Sequence, residues 1–398
     1  VVRENSKPVE ERKEIKCHLF KEPSSEKPYI GYNFLDALFK AMAQNDYRSL
    51  PTQSSQGIMK TVFQNWKSFY GGLRAYKTEP SRFKARPRIP GYSRRKEKEV
   101  LFSNQDCVIK GEKFLKFPKT KERLNIGKFG FTDGKLKQVR LIPKHGHYLV
   151  ELVFQIPAEP EMKESKKRYM SIDLGIDNLA TIVTNTGREP VLVKGKNIKS
   201  INQCYNRLKA HYIGILRQGK DTKEGPYTSK RLEKISHKRF NQIKDLFHKA
   251  SHQITNIALE EDIDTIIIGQ NKDWKQNSKM GKRNNQSFTT IPHQLLIQMI
   301  EYKAQRHGIK VIKTEESYTS NASFLDHDDI PVYGGNDLEK SFSGKRVKRG
   351  LYQSKNGIIV NADVNGAGNI MRKIFPKAFE EPFACVEMLL RPTSIILK

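Results

Sequence analysis

The sequence predicts a multidomain α/β protein. A helical region and a run of short strands precede a second half built on a mostly parallel, helix-covered sheet. Three observations lead there. Residues 265–269, TIIIG, form a short apolar run without alternation, flanked by helical periodicity, as in a parallel-sheet strand buried on both faces. Residues 99–156 carry short alternating segments separated by turn residues, the pattern of a small β-barrel or curled sheet. Near residue 166 basic extended sequence gives way to a strand–turn–strand pattern. The 398 residues suffice for two or three domains with a sizeable core.

In chain order, residues 9–20 read as a strand and 31–48 as a helix with Phe34, Leu35, Leu38, Phe39 and Met42 on one side. A second helix spans about 55–75. Its apolar set, Ile58, Met59, Val62, Phe63, Trp66, Phe69 and Tyr70, has helical spacing and reads as core packing in preference to base stacking. Residues 76–98 mix Lys and Arg with Pro and aromatics, which resists helix formation and burial and leaves an extended basic segment. Strands follow at 99–103, 106–110, 114–117, 137–143 and 147–156, with a turn at Thr132-Asp133-Gly134. A hairpin closed by Gly187 and helices over 197–218 and 227–260 come next. The second of these carries a buried stripe of Leu232, Ile235, Ile243, Leu246, Phe247, Ile254 and Ile257. A helix at 291–307 and a strand at 309–314 extend TIIIG into a βαβ-like unit. Residues 327–358 are polar and Gly-rich, and order returns at GIIVNADVNGAGNIMRKIF, a turn leading into a helix.

Lys and Arg number 72 against 43 Asp and Glu, a formal charge of +29. An excess of that size opposes folding by self-repulsion unless a polyanion neutralises it, and nucleic acid is the expected polyanion. No apolar run of about 18 residues and no basic amphipathic helix with a large apolar face argues for a membrane partner. Candidate phosphate contacts are Lys77, Arg82, Lys84, Arg86, Arg88, Arg94 and Arg95 in the extended segment, and Arg231, Lys234, Lys238 and Arg239 on the long helix. Lys345, Arg346, Lys348 and Arg349 in the Gly-rich stretch complete the set. Cys17, Cys107, Cys204 and Cys385 are far apart, so neither a CxxC zinc ribbon nor a disulfide framework is expected, which fits a reducing cytoplasm. The chain opens Val1-Val2 without Met and without a signal peptide, so its native N-terminus is expected to lie outside this sequence.

Two aspartates carry the chemistry. Asp173 interrupts the apolar strand MSIDLG, where a carboxylate is costly unless compensated, and a divalent cation compensates it well. Gly175 beside it permits close approach of a ligand or backbone. Asp363 lies in NADVNGAGNI, whose small residues allow a helix to press against a sheet; helix capping is its alternative role. In an RNase H-like fold a first-strand Asp and a late-helix Asp meet over the sheet and hold two Mg²⁺ ions for phosphodiester hydrolysis. No His or Cys cluster competes for that role.

The order SIDLGIDNLATIV, Tyr318-Thr319-Ser320, NADVNGAGNI, with an upstream QNWKSFYGGL and FKARPRIPGY block, resembles the TnpB (OrfB) family of transposon-encoded RNA-guided DNA nucleases, relatives of type V CRISPR effectors. The resemblance covers nearly the whole chain. It implies wedge strands over 1–28, a helical recognition region over 29–90 and a wedge β-barrel over 91–164. It further implies a RuvC-like, RNase H-like nuclease domain at 165–320 and 359–398, split by a target-nucleic-acid-binding insertion at 321–358. The implied partners are a guide RNA and a target DNA duplex bearing a short adjacent motif, with the protein acting as a monomer with RNA on the prokaryotic nucleoid.

Two departures from the family pattern stand out. Gly269-Gln270-Asn271 occupies the strand end where a third carboxylate is usual. Glu315 and Glu316 follow the next strand, roughly 4.8 Å away across the sheet, so one of them is expected to serve as a relocated catalytic acid beside Asp173 and Asp363, with Gly269 clearing its path. The family's four-Cys ribbon after the Tyr-Thr-Ser triplet is also missing, so no structural zinc is expected and the insertion must be held by its own packing and by DNA. The sequence thus points to Mg²⁺-dependent, RNA-guided DNA cleavage. The alternatives are an RNA-guided repressor that does not cut, and a strand-joining transposase.

Overall fold

The protein is described here by a computed structural model, over residues 25, 30–92, 97–127, 134–144, 146–156, 165–221, 224–270, 290–331, 341–379 and 386–397. The expected strand at 9–20, Arg94, Arg95, Thr132, Asp133, Asn271, Cys17 and Cys385 lie outside these residues. The chain divides into two units, Val1–Pro157 and Ala158–Lys398.

In the first unit the helix expected at 31–48 is two helices, α1 (Tyr32–Ala41) and α2 (Asn45–Ser49). Ala43 breaks the run in the left-handed region (φ 47°), and the Gln44 side chain caps α2 by accepting the Tyr47 N–H at 2.6 Å. α3 (Thr52–Thr78) follows Pro51, pinned by Ser54 Oγ donating to the Leu101 carbonyl at 2.5 Å and Ser55 Oγ to that of Tyr47 at 2.6 Å. Its aromatic stripe is only partly core. Met59 is buried, whereas Ile58, Val62, Trp66 and Tyr70 are exposed, because α1 has 10 residues and cannot cover a 27-residue helix. The strands are β1 (Val100–Ser103), β2 (Val108–Lys110), β3 (Phe114–Lys116), β4 (Arg123–Asn125), β5 (Lys135–Lys144) and β6 (His147–Gln155). They make two three-stranded antiparallel sheets, β1-β5-β6 and β2-β3-β4, around Phe102, Cys107, Leu115 and Val139. Among the described residues the strands do not close into one barrel.

The second unit carries β7 (Tyr169–Asp173), β8 (Asn178–Thr184), β9 (Val191–Lys194), α4 (Lys196–Arg217), α5 (Lys230–Glu260), β10 (Thr265–Gly269), α6 (His293–Gln305) and β11 (Lys310–Thr314). After these come β12 (Lys345–Lys348), β13 (Leu351–Gln353), β14 (Ile359–Asn361), α7 (Ala362–Ile374), α8 (Val386–Leu389) and β15 (Thr393–Ile396). The main sheet runs β11-β10-β7-β8-β9-β15. β7, β10 and β11 are mutually parallel, β8 is antiparallel to both β7 and β9, and β15 is parallel to β9. β9 and β15 have only four residues each, too few for a periodic signal in sequence.

Alternation along β7 decides where the chemistry lies. Met170 and Ile172 enter the core under α4, α5 and α6, packed with Phe247, Ile254, Ile268 and Ile300. Ser171 and Asp173 therefore face the opposite side, where α7 packs through Val364, Ala367, Ile370 and Met371. Ser171 Oγ donates to the Ala367 carbonyl at 2.6 Å. Asparagines at one-turn spacing on α7 then tie down the loop after β11. Asn365 accepts from the Phe324 N–H at 2.9 Å and donates to the Ala322 carbonyl at 2.8 Å. Asn369 donates to the carbonyls of Thr319 and Ala322 at 2.9 and 2.7 Å.

The β12-β13-β14 meander is anchored to the same loop. The buried Tyr352 donates its hydroxyl to the Asn321 carbonyl at 2.7 Å. Asp326 accepts the Lys355 N–H at 2.8 Å, and Asp328 accepts the Ser323 and Ser343 N–H groups at 2.7 and 3.1 Å. Carboxylates collecting backbone donors thus tie the meander to the loop. Asp328→Ala strands those donors and is expected to lower stability by about 1–3 kcal/mol in urea melts.

Candidate active site

Asp173 closes β7, and Asp363 sits in the first turn of α7. The capping role open to Asp363 belongs to Asn361, whose side chain accepts the N–H groups of Asp363 and Val364 at 2.9 and 3.3 Å. The Asp363 carboxylate is thereby left for other partners. One oxygen accepts from Asn178 Nδ2 at 2.7 Å, and Lys194 Nζ donates to Asn178 Oδ1 at 3.0 Å, which fixes the amide's orientation. The two aspartates approach because residue 366 is glycine. A Cβ there would stand 2.9 Å from Asp173 Oδ2. Gly175 likewise serves backbone packing, since its Cβ would meet the Asn178 carbonyl at 2.7 Å.

The two glutamates separate cleanly. Glu315 turns to Lys373, a lysine with only 8% of its side chain exposed, and accepts the Ser317 N–H at 2.8 Å. Against the upward pull of burial, Lys373 and Ser317 hold the Glu315 carboxyl below the usual range. Glu316 turns to the sheet. Its Oε2 lies 2.8 Å from where a Cβ at Gly269 would be, at the end of β10 and one strand from Asp173. Burial first, then the charges of Asp173 and Glu315, push the Glu316 carboxyl up to about 8, with Lys373 opposing. Burial, then Asp363, pushes Asp173 up to about 7, with Arg346 opposing.

Asp173, Glu316 and Asp363 line one cleft of about 770 Å³ with Asn178, Lys194, Arg346 and Arg349; Glu315 is not on its wall. Among the described residues no three acidic, His or Cys side chains already converge as an ion cage. The donor set nonetheless fits a hard divalent cation, being all carboxylate, with two of the carboxyls made reluctant to ionise by burial and like charge. Asn178 and Lys194 escaped the sequence reading, although an Asn opening the β-prone run NLATIVT was a legible sign.

The basic candidates divide as well. Lys77, Lys84, Arg86, Arg88, Lys234, Lys238, Lys345 and Lys348 are exposed, as is Arg82, which pairs with Glu79 at 3.0 Å. Arg231 is also exposed and lies over the Tyr212 ring at 4.8 Å. Arg346 and Arg349 stand on the cleft wall, where Arg349 pairs with Asp177 at 2.7 Å. Arg239 is committed internally. It donates to Asn202 and to the Thr290 carbonyl at 2.7 and 2.6 Å and covers the Tyr205 ring, so its guanidinium braces α5 against α4 instead of facing a ligand.

A family model described as a probable transposase (OrfB_IS605) matches residues 148–275, and one described as a Cas12f1-like TNB domain matches residues 293–370. The CRISPR-associated endodeoxyribonuclease Cas12f1 of Sulfoacidibacillus thermotolerans is 28% identical over 210 residues, 51% of this chain and 45% of that protein, so less than half of that relative is spanned. The TnpB-like protein ORF457 of Acidianus two-tailed virus is 22% identical over 378 residues, 82% of this chain and 74% of that protein. Two solved structures, a Cas12f1–sgRNA–target DNA complex and a CRISPR–Cas12f ternary complex, are each 12% identical. The first has a TM-score of 0.36 over 87% of this chain and 86% of that one; the second has 0.37 over 86% and 75%. Asp173 and Gly269 fall inside the first family match and Glu316 and Asp363 inside the second, and the chain is similar to the TnpB (OrfB) and Cas12f1 proteins.

Proposed function

We propose that this protein is an RNA-guided DNA endonuclease that hydrolyses target DNA in a RuvC-like carboxylate site formed by Asp173, Glu316 and Asp363. The observation that carries the reading is the seat of Glu316. Its Oε2 lies 2.8 Å from the position a Cβ at Gly269 would take, beside Ile370 Cδ1 at 2.6 Å, so the carboxylate sits at the end of β10. A sheet order with β7 between antiparallel β8 and parallel β10 supports an RNase H-like nuclease core. The relationship to TnpB and Cas12f1 proteins, together with the charge of +29, supports a guide RNA and a target DNA as partners.

The three carboxylates would hold two Mg²⁺-class ions, which supply an activated water and stabilise the leaving 3′ oxygen, giving a 5′-phosphate product. The protein's own groups prepare that chemistry. Asn178, fixed by Lys194, orients Asp363, and Gly366 and Gly269 let the acids approach. Arg346 presents positive charge on the cleft wall to the strand backbone. The repressor alternative rests on the missing acid at position 269; the nearness of Glu316 to Gly269 supports cleavage over it.

Plasmid cleavage with Mg²⁺ and copurified RNA tests the assignment. Glu316→Gln is expected to lower the rate roughly 10²–10³-fold, the equivalent of several kcal/mol. Glu315→Gln, which removes the charge facing Lys373, is expected to lower the melting temperature yet keep cutting. Equal cleavage by Glu316→Gln and wild type would overturn the assignment. Sequencing the copurified nucleic acid separates the transposase alternative, which requires DNA ends and no RNA.

The raised carboxyls make a pH prediction. Asp173 and Glu316 have folded pKa values of about 7 and about 8, above their unfolded values, so folding favours their protonated forms. That stability is fully present below about pH 4 and is lost as pH rises through 7 and 8. In EDTA, the melting temperature of wild type is expected to fall more between pH 6 and 8.5 than that of an Asp173→Asn, Glu316→Gln double variant. Added Mn²⁺ should restore wild type alone, and more strongly at the higher pH, since its ligands must be deprotonated.

A further inference from the structure

We propose that the exposed face of α3 is a base-stacking surface for unpaired nucleotides of the guide RNA; this rests on the functional reading above. Ile58, Val62, Trp66 and Tyr70 recur every four residues, which places them on one face of the helix over about 18 Å. They are 49%, 49%, 38% and 39% exposed. Trp66, Phe69 and Tyr70 form one ring cluster, with centroids 5.2–5.9 Å apart. A run of large apolar side chains this exposed on one helix face marks an interaction site.

Charge selects the occupant. From Thr52 to Thr78 the helix holds no Asp or Glu, while Lys60, Lys67, Arg74 and Lys77 are all exposed on it. The extended segment that follows adds Arg82, Lys84, Arg86 and Arg88, also exposed. A second copy of a chain with charge +29 would bring like charge to this surface. Aromatic faces set among cations match a single-stranded polyanion, whose bases stack on the rings while its phosphates meet the lysines and arginines. Guide RNA is the occupant because it is the resident partner. An apolar stripe on a basic protein needs a lasting cover, and target DNA arrives only for recognition.

The test uses the full chain, freed of copurified nucleic acid, with a 12-nucleotide single-stranded RNA, an abasic RNA of the same length and a DNA of the same sequence. Trp66→Ala with Tyr70→Ala should weaken binding of the base-bearing RNA about 5-fold or more per lost stack. The same variant should bind abasic RNA as wild type does and keep the salt slope, because the phosphate contacts remain. Trp66→Phe should stay near wild type, and Trp66→Leu, apolar but without a π face, should lose affinity. Circular dichroism melts matching wild type would establish that these surface variants fold. Unchanged RNA affinity in the double variant, or equal loss on abasic RNA, would overturn the proposal. So would an effect confined to DNA, or a wild-type dimer that becomes monomeric in the variant at unchanged RNA affinity. Absence of RNA binding by wild type would instead fail the functional reading itself.

Discussion

The approach of α7 to the ends of β7 and β10 is the constraint on which the site depends. It puts Asp173, Glu316 and Asp363 on one cleft wall, in surroundings where burial and like charge raise two of the three carboxyls. Such an arrangement opposes folding unless packing elsewhere enforces it. Gly366 allows the helix within contact of Asp173, and Ser171 ties the strand to the Ala367 carbonyl. Asn365 and Asn369 extend the hold to the loop that carries Glu316. A helix built of small and amide residues is therefore the means by which mutually repelling acids are kept together.

Neighbouring residues with identical side chains have opposite surroundings for reasons of geometry. Glu315 faces the buried Lys373 and is neutralised within the fold. Glu316, one residue on, faces the sheet, where burial and the charges of Asp173 and Glu315 raise its carboxyl against the opposing pull of Lys373. Extended chain sends successive side chains to opposite sides. A Cβ at Gly269 would stand 2.6 Å from Ile370 Cδ1 and 2.8 Å from Glu316 Oε2, so glycine at the end of β10 leaves both side chains their room. Asp326 and Asp328 anchor the loop after β11 further along, because a side chain is only as well placed as the loop that bears it.

Much of this was legible in the sequence. Asp173 and Asp363 announced themselves as charges inside apolar or small-residue runs, and TIIIG as a buried strand. The different surroundings of Glu315 and Glu316 were not legible, since they depend on Lys373, 58 positions from Glu315. Arg239 looked like a phosphate contact because its sequence neighbours are basic; its partners Asn202 and Thr290 lie far off in sequence. The α3 stripe read as core because periodicity records an apolar face but says nothing of what covers it. Four-residue strands such as β9 and β15 are held by their sheet neighbours and leave little trace in sequence.

Calorimetric titration of Mn²⁺ into the full chain tests the central claim most directly, because it reads the carboxylate site without requiring guide or target. The account predicts two bound ions for wild type and for Glu315→Gln, and a lost or markedly weakened ion for Glu316→Gln and for Asp173→Asn. Wild-type binding by Glu316→Gln, with loss in Glu315→Gln, would contradict it.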